Sequence, residues 1–166
     1  MKLPAVYFAI PGDIRTLTGG YGYDRRLLAG LRQLGLNVVH QPLDAGFPAP
    51  TAAALAATDA WLQSLPDATP VLVDGLAFGV MDTLTGKHGK RLRFIALCHH
   101  PLGMENGLDP ALQQQLLQRE QAALAAARAV VVTSARTKQL LHERLAVPTA
   151  AITVAQPGTE RRGFAH

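Results

Sequence analysis

Six short apolar segments alternate along the chain with longer segments whose apolar residues follow helical spacing. The short segments are rich in Val, Ile, Leu and Phe and lack strict alternation with polar residues, as is typical of strands buried on both faces of a sheet. They occupy residues 5–10, 37–41, 70–74, 93–98, 129–133 and 151–155. We predict one β-strand in each of them.

The segments between these strands carry helical patterns with recognisable ends. The first helix has an apolar stripe of four leucines, Leu27, Leu28, Leu31 and Leu34. Gly35 follows it as a helix-ending residue. Further helices are predicted at residues 51–65, 110 to about 127, and 134 to about 148. Asp109 precedes Pro110 as an N-cap before a first helical proline, and Ser134 is the N-cap of the last helix.

The alternation of strands and helices predicts an α/β fold. Such an order favours a Rossmann-like, doubly wound parallel sheet of about six strands with helices on both faces. In these sheets ligands bind outside the carboxyl ends of the strands, where the strand order reverses. With the common order 3-2-1-4-5-6, that crevice lies between the first and fourth strands. We therefore expect the loops at residues 11–21 and 99–108 to meet there.

The first of these loops ends in Gly19, Gly20, Tyr21 and Gly22, just before a helix. Glycines at such a place let backbone N–H groups approach an anion at the helix N-terminus. An ordinary flexible turn explains the same residues. The spacing fits neither the G-x-G-x-x-G dinucleotide motif nor a P-loop, because no Gly-Lys-Ser/Thr follows.

The second loop begins with His99 and His100, directly after the fourth strand. Histidine serves there as a general acid, a base or a hydrogen-bond donor to a sugar or phosphate. Neighbouring residues on an extended segment point in opposite directions, so only one of the two is expected to face the crevice. Zinc motifs with matching spacing are absent from the sequence, so no metal is expected.

Two further polar residues lie at or just after the ends of strands. Asp74 closes the third strand, where it either caps the following segment or lines the crevice. Ser134 follows the fifth strand, but the G-x-S-x-G motif of a nucleophilic serine is missing, and an N-cap explains this residue without catalysis.

Composition and charge narrow the class of protein. The chain is 48% hydrophobic and 17% charged, which excludes a disordered chain and a disulfide scaffold. No apolar run approaches the ~18 residues of a membrane span, so at most a peripheral membrane association is expected. The 16 Lys and Arg against 12 Asp and Glu are scattered without interleaved aromatics, which argues against nucleic-acid binding. The single cysteine, Cys98, suits a reducing compartment, so we expect the cytoplasm.

Several motifs together resemble a known family. They are Gly19-Gly20, the strand at 70–76, His99-His100, Glu120 in the long helix before the strand at 129–134, and the segment 152–160 with Pro157-Gly158. In this order and spacing they are similar to the N-terminal domain of family-4 retaining glycosyltransferases of the GT-B fold. The resemblance covers essentially the whole chain.

The resemblance implies a two-domain enzyme that transfers a sugar from a nucleotide-sugar to an acceptor hydroxyl. Residues 1–156 would form the acceptor-side domain and 157–166 the start of an interdomain linker or a tail, with the donor-binding domain absent, so the chain alone is expected to be inactive. The family implies that His99 contacts the reacting centre and that Gly19 and Gly20 lie near the donor diphosphate. His100, Asp74 and Tyr21 are expected substrate contacts, with no cofactor besides the nucleotide-sugar substrate and no metal.

Two other function classes stay open at this point. A dinucleotide-dependent oxidoreductase is supported by the fold class and by Asp44, which follows the second strand where a ribose-binding acid would lie. A stand-alone ligand-binding module without catalysis is the third interpretation. Extending the reading frame beyond His166 discriminates among them, since a second α/β half favours the transferase.

Overall fold

A computed structural model describes residues 3–158 and confirms the predicted α/β class. Its sheet has six strands, every adjacent pair of which is parallel. The strands are β1 Val6–Pro11, β2 Val38–Leu43, β3 Pro70–Asp74, β4 Arg93–Cys98, β5 Ala129–Val132 and β6 Ile152–Val154. All six correspond to predicted segments, with ends that differ by at most two residues. Most of the predicted linker or tail, residues 159–166 with Glu160, lies outside the described residues.

Six α-helices connect these strands within the described part of the chain. They are α1 Gly19–Gln33, α2 Ala52–Ser64, α3 Gly75–Phe78, α4 Asp82–His88, α5 Pro110–Ala125 and α6 Ala135–Leu145. Short 3₁₀ turns occupy Leu102–Met104 and Thr149–Ala151. The Ser134 hydroxyl accepts the Thr137 N–H at 3.1 Å, which confirms its N-cap role. None of the helices within residues 3–158 is long and apolar enough to cross a bilayer.

Two local predictions about α1 need correction. The helix begins at Gly19 and includes the glycines that were expected to precede it, because the Thr18 hydroxyl accepts the Tyr21 N–H and caps the helix earlier. Leu34 was assigned to the buried stripe but is 80% exposed, since the helix ends at Gln33 and the chain turns away. Gly35 follows with φ of +87°, as expected of a helix-ending glycine.

The strand order differs from the expected one. The sheet runs β2-β1-β3-β4-β5-β6, so β3 lies between β1 and β4. After the edge strand β2, the chain crosses through α2 to the opposite side of β1, where Tyr7 pairs with Val71. The order therefore reverses beside β1 and β3, and the prediction of a gap between the first and fourth strands was wrong. The alternation of elements specifies a parallel sheet but does not specify which side of β1 receives the third strand.

Apolar side chains cover both faces of the sheet, as a doubly wound fold requires. One cluster includes Phe78 and Phe94, whose rings meet edge to face with centroids 6.1 Å apart. The other cluster packs α1 onto the opposite face through Leu28 against Phe8 and Leu97. Burial on both faces explains why the strand segments lack strict polar alternation.

A partly buried polar network joins α2 to α4. His88 is 2% exposed, and its Nε2 lies 2.6 Å from the Asp59 carboxylate. The guanidinium of Arg91 lies 3.3 Å from His88 Nδ1 and donates to the Leu62 carbonyl at 2.7 Å. Because a guanidinium only donates, Nδ1 accepts and Nε2 carries the hydrogen toward Asp59. His88, which has no partner predictable from sequence, is thus a structural residue.

We predict opposite stability effects for two glycine-to-alanine substitutions. A Cβ on Gly75 would lie 2.8 Å from the Leu97 carbonyl oxygen, so Gly75→Ala forces α3 away from β4 and lowers the free energy of unfolding by about 1–3 kcal/mol. Gly30 lies inside α1 with no heavy atom within 4 Å of its added Cβ, so Gly30→Ala raises that free energy by roughly 0.5–1 kcal/mol. Chemical denaturation measures both, and equal effects at the two positions would contradict the close approach at Gly75.

Candidate functional site

The loops after β1 and β4 meet at the carboxyl edge of the sheet, across the end of β3. A pocket of about 280 Å³ there is lined by five of the six predicted site residues, Gly20, Tyr21, Asp74, His99 and His100. The sixth, Gly19, lines an adjoining cleft of about 970 Å³ that shares Gly20 and His99 with the pocket. His99 therefore lies at the boundary of the two cavities.

His99 makes the closest polar contacts of the site. Its Nε2 lies 3.1 Å from Oδ1 of Asp24 and 3.4 Å from Oδ2 of Asp74. Both carboxylates are buried, whereas a quarter of the His99 side chain is exposed. The Tyr23 ring packs edge to face on the imidazole, with centroids 5.3 Å apart. Because the ionised Asp74 carboxylate can only accept, the His99 Nε2 carries a hydrogen that faces both carboxyl groups.

Asp24 is the site residue that the sequence analysis missed. It lies one turn beyond Gly20 and one turn before Leu28, on the face of α1 that packs against the sheet. Its side chain is completely buried, and Oδ2 has no hydrogen-bond partner within the described residues. A signal was present in the sequence, since a carboxylate at helical spacing from the leucine stripe occupies a core position.

Asp74 fulfils both roles that its position left open. Its Oδ1 accepts the Leu76 N–H at 2.9 Å and so caps α3. Its Oδ2 faces His99, and the residue lines the smaller pocket. The cap fixes the carboxylate in place, so the imidazole meets an acceptor that is already oriented.

The charges of the cluster depend on one another. Burial disfavours the charged form of His99, but hydrogen bonds and charges from Asp24 and Asp74 outweigh it and raise the pKa of His99 to about 9. Burial raises the pKa of Asp24 to about 7, and the hydrogen bond to Asp74 adds to this effect, against the lowering effect of the hydrogen bond to His99. Burial acts the same way on Asp74, yet hydrogen bonds from His99, Asp24 and the Leu76 N–H bring the pKa of Asp74 below its usual value. At neutral pH the imidazole is therefore cationic and Asp74 anionic.

The first turn of α1 packs directly against this cluster. A Cβ on Gly20 would lie 3.7 Å from Cδ2 of His99, so the helix backbone approaches the ring closely. The Tyr21 hydroxyl donates to the Pro11 carbonyl at 2.6 Å and ties the helix to the end of β1. Burial and the nearby carboxylates of Asp74 and Asp24 raise the pKa of Tyr21, which keeps it protonated as a donor.

His100 also lines the smaller pocket, so the expectation that only one of the two histidines faces the crevice was wrong. The strand ends at Cys98, and residues 99 and 100 lie in a bend, where side chains no longer alternate. His100 is exposed, and its Nε2 lies 3.2 Å from the Met104 carbonyl. Its environment is that of a rim residue, in contrast to the buried contacts of His99.

A third buried carboxylate supports the loop that follows the histidines. Glu120 of α5 is 2% exposed and accepts the Leu102 N–H at 2.9 Å. Burial raises the pKa of Glu120 to about 7. A Cβ on Gly79 would lie 2.6 Å from Leu102 Cδ1, so the 3₁₀ turn rests closely on α3. Glu120 thus fixes the floor of the smaller pocket.

The larger cleft runs along α1 toward the segment after β6. Arg25 and Arg26 line it together with Gln156, Pro157 and Gly158. Arg26 donates to the Gly158 carbonyl at 2.7 Å. The cleft is therefore bordered by cationic side chains, the open start of α1 and the chain that leaves the sheet.

One group within residues 3–158 could hold a metal ion. Asp24, Asp74 and His99 each offer a ligand atom within 4.8 Å of the other two. A cation there would displace the hydrogen that Nε2 shares with the carboxylates, so metal and proton would compete for the same place. That no metal is needed stays a prediction.

Asp44, the residue that favoured a dinucleotide, lies elsewhere. Its Oδ1 accepts the Gly46 N–H at 2.7 Å in the turn after β2. It lines a separate pocket of about 350 Å³ against α2, with Trp61. Neither cavity beside His99 includes Asp44 among its lining residues.

Comparisons with known proteins do not assign this site to a family. No protein-family model matches the chain, and no curated protein matches its sequence.

We predict a loss of stability at alkaline pH from the cluster. The folded-state pKa of His99, about 9, exceeds its ordinary value of 6.5, so its contribution is present below about pH 6.5 and is lost as the pH rises through 9. We expect the free energy of unfolding to fall by about 3 kcal/mol across this window, by the linkage relation. Denaturant titrations at several pH values measure the change, and a flat profile from pH 6.5 to 9 would refute the assigned charges.

Proposed function

We propose that this chain is the N-terminal, acceptor-side domain of a retaining glycosyltransferase that uses a nucleotide-sugar. The observation that carries the proposal is the close approach of Gly20, in the first turn of α1, to a cationic His99 in the cleft that Gly19 also lines, at the carboxyl edge of the sheet. Helix N-termini and cations both attract phosphate oxygens. This arrangement suits the diphosphate of a sugar donor.

The shape of the larger cleft supports the proposal. Its walls are α1, the start of the loop after β4 and the segment 156–158, which runs beside Arg26. A donor-binding domain that follows this segment would approach the cleft from its open side. The acceptor would then lie in the smaller pocket, beside Tyr21 and His100.

The proposed reaction exchanges one bond at the anomeric carbon. The bond to the diphosphate oxygen breaks, the acceptor oxygen forms a bond on the same face, and its proton is transferred to the released diphosphate. Such a reaction requires an oriented acceptor and stabilisation of the leaving charge. Backbone N–H groups at Gly19 and Gly20 and the His99 imidazolium would contribute to the second requirement. No metal is required by this scheme, and a cytoplasmic location remains part of the proposal.

The decisive experiment uses the polypeptide encoded by the complete reading frame. Release of nucleoside diphosphate from a panel of nucleotide-sugars measures transfer, and NMR of the product gives its anomeric configuration. We expect His99→Ala to lower turnover by about 10²-fold, the low end for a positioned polar group. The matched control is His100→Ala, which removes a rim histidine and is expected to have a much smaller effect.

Two outcomes would contradict this function. Equal losses of turnover in His99→Ala and His100→Ala would remove the basis for assigning the role at the reacting centre to His99. The 166-residue chain alone is expected to fold but not to transfer sugar, so robust transfer by the isolated chain would show that one half of the cleft suffices.

Binding of NAD tests the oxidoreductase alternative directly. We predict no micromolar affinity in a calorimetric titration, because α1 begins with glycines of the wrong spacing and Asp44 is engaged in its own turn away from the cleft. Micromolar binding of NAD would overturn the transferase proposal in favour of the oxidoreductase.

A further inference from the structure

We propose that Asp24 is a positioning residue which, together with Asp74, holds His99 as a fixed imidazolium, so that Nδ1 serves as a charged donor to an oxyanion in the cleft. His99 would then act through its positive charge and not as a general base. The oxyanion we infer is a phosphate group of the donor, and this part rests on the proposed function. The role of Asp24 toward His99 is independent of the proposed function.

The orientation of the ring follows from its contacts. Nε2 lies within 3.4 Å of an oxygen from each of two carboxylates, so this nitrogen must carry a hydrogen. Tyr23 packs on the ring edge to face, and Gly20 approaches the edge that contains Cδ2 and Nε2. The carboxylates therefore fix the Nε2 edge of the ring, and the packing of Tyr23 and Gly20 restricts its rotation.

The charge follows from burial. Asp24 and Asp74 are 0% and 2% exposed, and an anionic Asp74 that faced a neutral ring would leave uncompensated charge in a region that excludes water. Protonation of His99 offsets this charge with hydrogen bonds already in place. Burial raises the pKa of Asp24 to about 7, so the charge of Asp24 adds to this effect above that pH. The raised pKa of His99, about 9, agrees with this geometric argument.

The tyrosine, cysteine and threonine side chains that pack around the cluster within the described residues carry no charge at neutral pH. From α1, Tyr21 and Tyr23 have pKa values raised by burial and stay neutral at pH 7. Burial likewise raises the pKa of Cys98, the residue before His99. The Thr137 hydroxyl of α6 donates to the His99 carbonyl at 3.4 Å and carries no charge.

The other ring nitrogen is the one available to a ligand. Nδ1 makes no hydrogen bond within residues 3–158 and is not among the buried unpartnered atoms, and the side chain is 25% exposed. In the imidazolium both nitrogens carry hydrogens, so Nδ1 is a donor. A base would need an unprotonated nitrogen, which this cluster disfavours at neutral pH.

The test is an NMR titration of the 166-residue chain with isotope-labelled histidine rings. We expect His99 to titrate near pH 9, with the hydrogen of its neutral form on Nε2. In Asp24→Asn, which preserves the side-chain shape, the midpoint of His99 should fall by about 1 pH unit or more. The matched control is Asp59→Asn, which alters the partly buried pair of Asp59 with His88 and should leave the His99 midpoint unchanged.

Two results would overturn the role of Asp24. One is a His99 midpoint at or below about 6.5, the ordinary histidine value, in the unmodified chain, which needs no variant to fold. The other is an unchanged midpoint in a folded Asp24→Asn chain. If Zn²⁺ suppressed the titration of His99 in the unmodified chain, and if Asp24→Asn prevented this effect of Zn²⁺, the cluster would instead be a metal site.

The ligand is tested separately with inorganic pyrophosphate. We expect pyrophosphate to shift the His99 signals, with an affinity that falls about tenfold or more once the pH exceeds the His99 midpoint. In Asp24→Asn this fall should move to lower pH together with the midpoint. A high His99 midpoint without any response to pyrophosphate would contradict the oxyanion and weaken the proposed function, while the role of Asp24 toward His99 would stand.

Discussion

Two buried carboxylates that share one imidazole nitrogen are the contact on which the edge of this sheet depends. Asp24 comes from α1, Asp74 from the end of β3 and His99 from the end of β4. A carboxylate deprived of water destabilises the fold unless it has a partner. The α1 helix and the ends of β3 and β4 are therefore held where the two carboxylates meet the imidazole. The close approach of Gly20 to the ring and the capping of α3 follow from the same placement.

A third carboxylate, separate from these two, fixes the loop beyond this contact. Glu120 reaches from α5 to the backbone N–H of Leu102, below the turn that carries the rim of the smaller pocket. Backbone groups that would otherwise be buried without partners are thereby satisfied. The pocket is consequently formed by residues on rigid elements and by one short loop that is held from beneath.

Much of this arrangement could be predicted from the sequence, and the exceptions have physical reasons. Apolar segments locate the strands because burial on both faces leaves a continuous signal, and Ser134 is a cap because its chemistry is local. The position of β3 beside β1 depends on pairing between distant segments of the chain, which no local pattern encodes. The spacing of Asp24 places it on the buried face of α1, but its role was missed because its partner lies 75 residues away. His99 was found because it directly follows a strand.

The helix α1 contacts both the site and the segment after β6. On one turn, Tyr23 donates to the Ala155 carbonyl at 2.7 Å and Arg26 to the Gly158 carbonyl, while Asp24 between them contacts His99. The same turn therefore supports Asp24 against His99 and holds the backbone of residues 155–158. The site and the path by which the chain leaves the sheet thus share one support.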